Sequence, residues 1–301
     1  MLNDHRESRI DHDHLFKEVL QDFFEEFLML FFPSIYEEID FAHLKFLDKE
    51  LFNDTQRRKR KEVDMVVETK LKGEDSLILV HVEQQAQYED NFNERMFLYF
   101  SRLLEEHPST RIIPIALFSY DDKNRQELTT YEMNFPFLDV VKFNYLTIEL
   151  KKLNWRNFIR QDNPVAGALM SKMGYTEDEK IDVKKEFLRM LVRLELDPAR
   201  NHELTTFFET YLKLSDEEED TLKAALKTLN STEEARVMEL MTSYERKGME
   251  KGIEKGMEKG IKKVAINLLS DGMEIRKVVD LTGLTEQEIK ELKNQQDKNN
   301  K

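Results

Sequence analysis

The sequence predicts an α/β fold, a mixed sheet flanked by helices, followed by an all-helical C-terminal region. Residues 63–85 read as two strands folded back on each other. A helical pattern from about Glu89 separates this hairpin from an apolar run at 111–120, and a helix between two strands makes a crossover that brings the second strand into the sheet in parallel. From Trp155 onward the apolar residues recur only at helical spacing.

In chain order, Leu15, Phe16, Val19, Leu20, Phe23, Phe24, Phe27 and Leu28 recur at three- and four-residue steps, so a helix is expected with Asp13 as its N-cap and Pro33 at its end. Residues 41–46 alternate with His43 and Lys45 and suit a first, edge strand. In 63–85, Val63, Met65 and Val67 alternate with Asp64, Val66 and Glu68, while 77–82 is nearly all apolar. A half-buried strand is thus followed by a buried one. Between them Lys72-Gly73-Glu74-Asp75 is a polar break whose glycine tolerates the positive φ of a tight turn.

The next helix carries Phe92, Met96, Tyr99, Phe100, Leu103 and Leu104 as far as His107-Pro108. Pro114 suits an edge or a bulge in the following strand, and 140–150 is expected to form another short strand after a loop at 121–130. Asn163-Pro164, Thr176 with Asp178, and Ser215 mark successive helix starts, the acidic run 216–220 being favoured there by the helix dipole. His202 has no ligand-spaced partner in the sequence. These breaks divide the chain into 1–152, 153–235 and 236–301.

The chain of 301 residues is long enough for one α/β domain of ordinary size and a smaller helical one. It contains no cysteine, which excludes disulfides and thiolate metal sites and fits a reducing cytoplasm. A net charge of −14 argues against a generic nucleic-acid coat, since nonspecific duplex binding neutralises phosphates with Lys and Arg. Local charge can override that total: Arg57, Arg58, Lys59, Arg60 and Lys61 form an unbroken basic run just before Asp64, which is either a phosphate-facing patch or a solvated loop. No segment approaches the roughly 20 apolar residues that span a bilayer, so no membrane association is expected.

If the 63–85 turn is centred between Gly73 and Glu74, Asp64 lies opposite Glu83 and Gln85 shares its face. Directly opposed side chains have Cβ atoms about 5 Å apart, a spacing at which two carboxylates repel unless a cation lies between them. Hard carboxylate oxygens with open water positions suit Mg²⁺ or Mn²⁺. The alternative is a pair of solvated acids on the polar side of a surface hairpin. Against it, Leu77, Leu79 and His81 share a face with Glu83 and carry a largely apolar strand into that carboxylate.

An Asp on one strand followed by an apolar strand ending Glu-x-Gln resembles the PD-(D/E)XK nuclease superfamily, in particular its recombination-promoting nuclease and transposase-like branch. The matching features are His12-Asp13 with Phe16-Lys17, Val63-Asp64-Met65-Val66, His81-Val82-Glu83-Gln84-Gln85, Arg95 with Tyr99, Ile112-Ile113-Pro114-Ile115 and Asn163-Pro164-Val165-Ala166, spanning roughly residues 10–170. The order and spacing carry the likeness, since no one of these motifs is specific alone.

The resemblance implies a restriction-endonuclease-like core and a metal-dependent DNA endonuclease of mobile-element type. Asp64 and Glu83 would be its metal ligands, the Gln84 backbone carbonyl would complete the shell, and Gln85 would position the attacking water. Arg57, Arg58, Lys59, Arg60 and Arg95 would be the DNA contacts, with Asp13, Lys17 and Tyr99 as accessory candidates. Gln85 departs from the superfamily's usual Lys, and a neutral amide cannot stabilise developing negative charge as an ammonium does, which leaves room for a weak or silent enzyme.

Gly248, Gly252, Gly256 and Gly260 recur every four residues in the tail. In a helix each costs about 1 kcal/mol relative to Ala, so close packing against a partner is expected to offset the loss. Homo-oligomerisation through this repeat is one reading; a flexible charged linker is the other. A purely structural oligomer built on the repeat is a third, less favoured function. Residues 275–281 and 285–292 form two short helices around Thr282-Gly283-Leu284, similar to the helix-turn-helix at the ends of many bacterial proteins. The second is mixed in charge, unlike a basic recognition helix, which favours an interaction tail over DNA reading.

Overall fold

The computed structural model describes residues 12–47, 65–83, 91–120 and 127–299. Helices α1 (His12–Asp22), α2 (Phe24–Phe31) and α3 (Pro33–Tyr36) lead the chain. Their apolar stripe, including Phe16, Val19, Leu20, Phe23, Phe27 and Leu28, is buried as the helical period requires. Because α1 starts at His12, Asp13 lies inside its first turn and not in front of it. Pro33 opens α3 instead of closing α2, which has already stopped at Phe31. The residue before proline is sterically pushed out of helical geometry, and Phe32 accordingly has φ −138° and ψ 59°.

The strands are β1 (Lys45–Leu47), β2 (Met65–Leu71) and β3 (Glu74–Glu83), then, after α4 (Phe92–Glu106), β4 (Arg111–Phe118), β5 (Thr130–Phe135), β6 (Leu138–Asn144) and β7 (Leu146–Glu149). Five of them form a mixed sheet in the order β1-β2-β3-β4-β7, with β1 at one edge. Of the strand expected over 41–46, Phe41–His43 is instead a 3-10 turn, because the Asp40 carboxylate accepts from the Ala42 amide and caps it. The β1–β2 and β2–β3 pairs are antiparallel; β3–β4 and β4–β7 are parallel, with α4 as the crossover between β3 and β4.

The β2–β3 register differs from the one that symmetry about Gly73 and Glu74 predicts. Leu71 stands opposite Glu74 and Met65 opposite Val80, whereas that symmetry would put Met65 opposite Val82. The turn is the two-residue loop Lys72-Gly73, with φ of 51° and 81°. Positive φ at both central positions gives the turn whose twist matches the flanking strands, and this geometry, not the run of polar residues, sets the pairing. A displacement of two residues preserves the side-chain period. Val66 and Leu79 stand opposite each other, and both enter the apolar cluster beneath α4.

That cluster joins Leu77 and Leu79 of β3, Ala116 and Phe118 of β4, and Phe92, Met96, Tyr99 and Leu103 of α4. On the other face, the ring of Phe24 in α2 meets Phe46 of β1 edge-on at 5.7 Å. Both faces of the sheet are therefore covered, and residues 77–79 are buried without alternation. Pro114 lies in an interior strand, contrary to the edge position its type suggests. It falls one residue before the β4–β7 ladder begins at Ile115, so its missing amide hydrogen forfeits no bond on that side.

The single strand expected at 140–150 is two strands. β6 pairs with β5 in a separate two-stranded sheet, and β7 returns to the main sheet. The division falls at Tyr145, whose amide donates to the Thr129 carbonyl at 3.2 Å and whose hydroxyl donates to the Leu128 carbonyl, drawing the chain away from the β6 ladder.

The remaining elements are α5 (Pro164–Leu169), α6 (Lys180–Leu194), α7 (Pro198–Tyr211), α8 (Asp216–Leu226), α9 (Ser231–Ser270), α10 (Ile275–Thr282) and α11 (Glu286–Asn299). Asn163 caps α5, its Oδ1 accepting from the Ala166 amide at 3.1 Å. Its Nδ2 donates to the Glu26 carbonyl at 2.9 Å, which ties α5 to α2. Thr176 with Glu179 and Ser215 with Glu218 form capping boxes at two of the starts read from the sequence. The rings of Phe16 and Phe207 lock α1 to α7 edge-to-face at 4.8 Å. The chain divides into two compact units, Met1–Val237 and Met238–Lys301.

Candidate functional site

The C-terminal ends of parallel strands are where open α/β sheets place their ligands. β3 and β4 reach that end together, with the backbone of Glu83 in register with Phe118. The first turn of α4 lies at the same end: Phe92 packs edge-on against Phe118 at 4.9 Å, and the Arg95 guanidinium lies over the Phe92 ring at 5.2 Å. A chain of contacts thus sets the only cation of that helical turn beside the strand end that carries Glu83. Arg95 is half-buried there, stacked on an aromatic face as guanidinium groups favour.

Of the other residues singled out from the sequence, Tyr99 is buried in the α4–sheet cluster and Lys17 is half-buried on α1. Asp13 lies in the first turn of α1. Asp64, Gln84, Gln85 and the basic run Arg57, Arg58, Lys59, Arg60 fall outside the described residues. Among the described residues, no group of three or more His, Asp or Glu side chains is arranged to hold a metal ion.

Sequence reasoning missed a second polar site, between α1 and α7. A cavity of about 360 Å³ is lined by Glu18, Asp22, His202, Glu203, Leu15 and Phe207, among others. Burial, then a hydrogen bond with Asp22, then the charges of Asp22 and Glu18 push the Glu203 carboxyl up to about 8, with Arg200 opposing. One Glu203 oxygen, Oε1, is buried with no hydrogen-bond partner among the described residues. Glu203 therefore keeps its proton at neutral pH, which lets its carboxyl sit beside that of Asp22. The signal in the sequence was weak: Asp22 and Glu203 lie far apart in the chain, and only the packing of α1 on α7 brings them together.

α6 holds a buried cation. Lys184 is almost inaccessible and donates to Glu209 of α7 at 2.8 Å and to Glu219 of α8 at 2.6 Å. Desolvation works to lower its pKa, and the two glutamates outweigh it, so the ammonium is held above its usual value.

In the C-terminal unit, Ala265, Val278 and Ile289, one each from α9, α10 and α11, form a small core with Leu268, Leu269, Met273 and Leu284 around it. Gly283 ends α10 in the left-handed conformation at φ 71°, and Thr285 with Glu288 caps α11, as the two-helix reading expected. α9 runs unbroken through the glycine repeat. A Cβ at Gly256 or Gly260 would meet nothing within 4 Å, so these two glycines make no close approach among the described residues.

The fold defines an α/β protein with a five-stranded mixed sheet and a helical C-terminal region. Residues 258–294 match the family model described as "Rpn/YhgA-like nuclease family, C-terminal HTH domain". The match covers the three-helix core just described and none of the sheet, and it supports the recombination-promoting nuclease relation broadly. No curated protein and no solved structure matches the chain. Among the described residues, no helix is long and apolar enough to cross a membrane.

Proposed function

We propose that the chain is a metal-dependent DNA endonuclease with a restriction-endonuclease-like core, acting with low sequence specificity. The observation that carries the reading is the match of 258–294 to the C-terminal domain of a nuclease family, in a chain that also carries the Asp64, Glu83-Gln84-Gln85 pattern. The register of Glu83 with Phe118, and Arg95 at the same end of the sheet, support it.

Two carboxylates and a backbone carbonyl are a hard-oxygen donor set that fits Mg²⁺ or Mn²⁺. Asp64, Glu83 and the Gln84 carbonyl would hold the ion. Bound there, it would lower the pKa of a coordinated water and steady charge on the phosphate. The Gln85 amide would orient that water, while Arg57, Arg58, Lys59, Arg60 and Arg95 would hold the DNA backbone. Self-association through the glycine repeat belongs to the same reading.

Plasmid nicking in Mg²⁺, Mn²⁺ and Ca²⁺ tests the proposal. Asp64→Ala and Glu83→Ala are expected to lose at least about a hundredfold in rate, as removal of a group central to the chemistry does. An Asp64→Ala protein that nicks as fast as the parent would refute the assignment. The second reading, a catalytically silent protein that binds DNA or another protein through its tail, is favoured by Gln85 in place of Lys and by the confinement of the match to the C-terminal helices. Tight metal-independent DNA binding with no nicking by the parent would select it.

A further inference from the structure

The β5–β6 hairpin carries an apolar face that its own chain leaves half uncovered. Near its base, Tyr131 stacks on Phe97 of α4 at 5.2 Å and Phe143 packs against Phe100 at 5.0 Å. Alternation continues that face outward through Met133 and Phe135 to Leu138, with the two-residue loop Pro136-Phe137 at the tip. Beyond α4 the face is exposed: Met133 is 44% accessible, Phe135 53%, Phe137 84%, Leu138 56% and Val140, at the bulge, 44%. Phe135 and Phe137 stack on each other at 5.7 Å with rings 17° apart, forming a flat aromatic platform.

We infer that this face is a self-association surface, on which the hairpin of one copy packs against the same face of a second copy. Taking a fully exposed Phe as about 200 Å² and the aliphatic side chains as somewhat less, the five exposed residues leave on the order of 500 Å² per copy. That lies in the upper part of the roughly 300–600 Å² of a typical monomer's largest apolar patch, which is often functional. Two copies would bury about 1,000 Å² from these side chains alone, the lower bound for a biological interface, to which the hairpin backbone and rim residues add.

The charges are placed to allow it. The hairpin's charged residues are Glu132, Asp139 and Lys142. Glu132 and Lys142 stand opposite each other and pair at 3.9 Å, while Asp139 stands opposite Asn134. By alternation these positions belong to the other face, so apolar contact would bury no unpaired charge. The same two-to-one acidic balance disfavours DNA, whose phosphates call for cations. A nearly flat face that meets its own copy about a two-fold axis satisfies both partners with one set of residues.

The full chain is expected to sediment at more than the mass of one chain, and Phe137→Glu to weaken that association about tenfold or more, as loss of a central aromatic anchor does. The residue is so exposed that the fold survives the change, checked by unaltered circular dichroism. Since the chain has no cysteine, Phe137→Cys introduces a single thiol, and mild oxidation is expected to yield a covalent dimer. A parent that stays monomeric up to its solubility limit would overturn the inference. So would a dimer that neither responds to Phe137→Glu nor cross-links through Phe137→Cys, which would place association elsewhere, as on the glycine repeat. Loss of DNA affinity in Phe137→Glu with the mass unchanged would mark the tip as a wedge into DNA and overturn it equally. None of these outcomes depends on whether the chain cuts DNA.

Discussion

The five-stranded sheet and the β5–β6 hairpin are built from the same residue types and end in opposite conditions. In β3 and β4, Leu77, Ile78, Leu79, Ala116 and Leu117 are inaccessible because helices cover both faces. In β5 and β6 the cluster beneath α4 takes in Tyr131, Val141 and Phe143, while Phe135, Phe137 and Leu138 remain in solvent. Strand pattern alone therefore does not tell a core from an interface. What decides it is whether another element lies within reach of the apolar face.

The largest effect that would break this contrast concerns two phenylalanines. Phe118 is 2% accessible and touches Phe92 and Tyr120, so Phe118→Ala is expected to cost about 3–5 kcal/mol through lost burial and the cavity left behind. Phe137→Ala should stay within about 0.5 kcal/mol. Urea unfolding of both variants, at a concentration where neither associates, reads the difference directly; equal losses would erase the distinction between covered and uncovered faces.

The contrast extends to charge. Lys184 is covered and bonded to two glutamates, whereas Lys142 pairs with Glu132 across an exposed strand face. Lys184→Ala leaves two partly buried carboxylates facing each other without their cation, at an expected cost of about 2–3 kcal/mol. Lys142→Ala should not move the unfolding midpoint measurably, since exposed pairs contribute little.

The smallest effect is pH-dependent and sharpens the contrast at the α1–α7 cavity. In the unfolded chain Glu203 ionises near its ordinary value of 4.5; in the folded chain burial, helped by Asp22, holds the proton up to about 8. Between those values the folded state binds more protons, so this group makes stability fall as pH rises through that window. Glu203→Gln cannot ionise and escapes the loss. Thermal unfolding should show it more stable than the parent by about 1–2 kcal/mol at pH 8.5 and indistinguishable near pH 4.5. An advantage that persists unchanged at low pH would mean that packing, not the proton, explains it.

Local signals were legible where the physics is local. Asn163, Thr176 and Ser215 were readable as helix starts because a cap is made between neighbours in sequence. The turn at Lys72-Gly73 was readable too, but its centre was placed one residue late, because composition does not reveal which residue takes positive φ. The β5–β6 hairpin left a trace in the alternation of Tyr131, Met133 and Phe135 before Pro136, a two-period run that ends in a turn residue. Residues 140–150 looked continuous because the break at Tyr145 depends on the carbonyls of Leu128 and Thr129, supplied by another segment. For the candidate site, the described residues place Arg95, Tyr99 and the Glu83 backbone, while the Asp64 and Gln85 assignments rest on the sequence pattern.

By itself the sequence determined the order of helix, hairpin, helix and strand as far as β4, the helix starts at Asn163, Thr176 and Ser215, the crossover between β3 and β4, and the lack of cysteine. Periodicity and capping act over a few residues, and those residues are adjacent in the chain. Tertiary structure alone decided which apolar faces found a cover, which carboxyls met across α1 and α7, and where Lys184 found its two partners. Such contacts join segments far apart in sequence, and their energies arise only when water has been driven from between them.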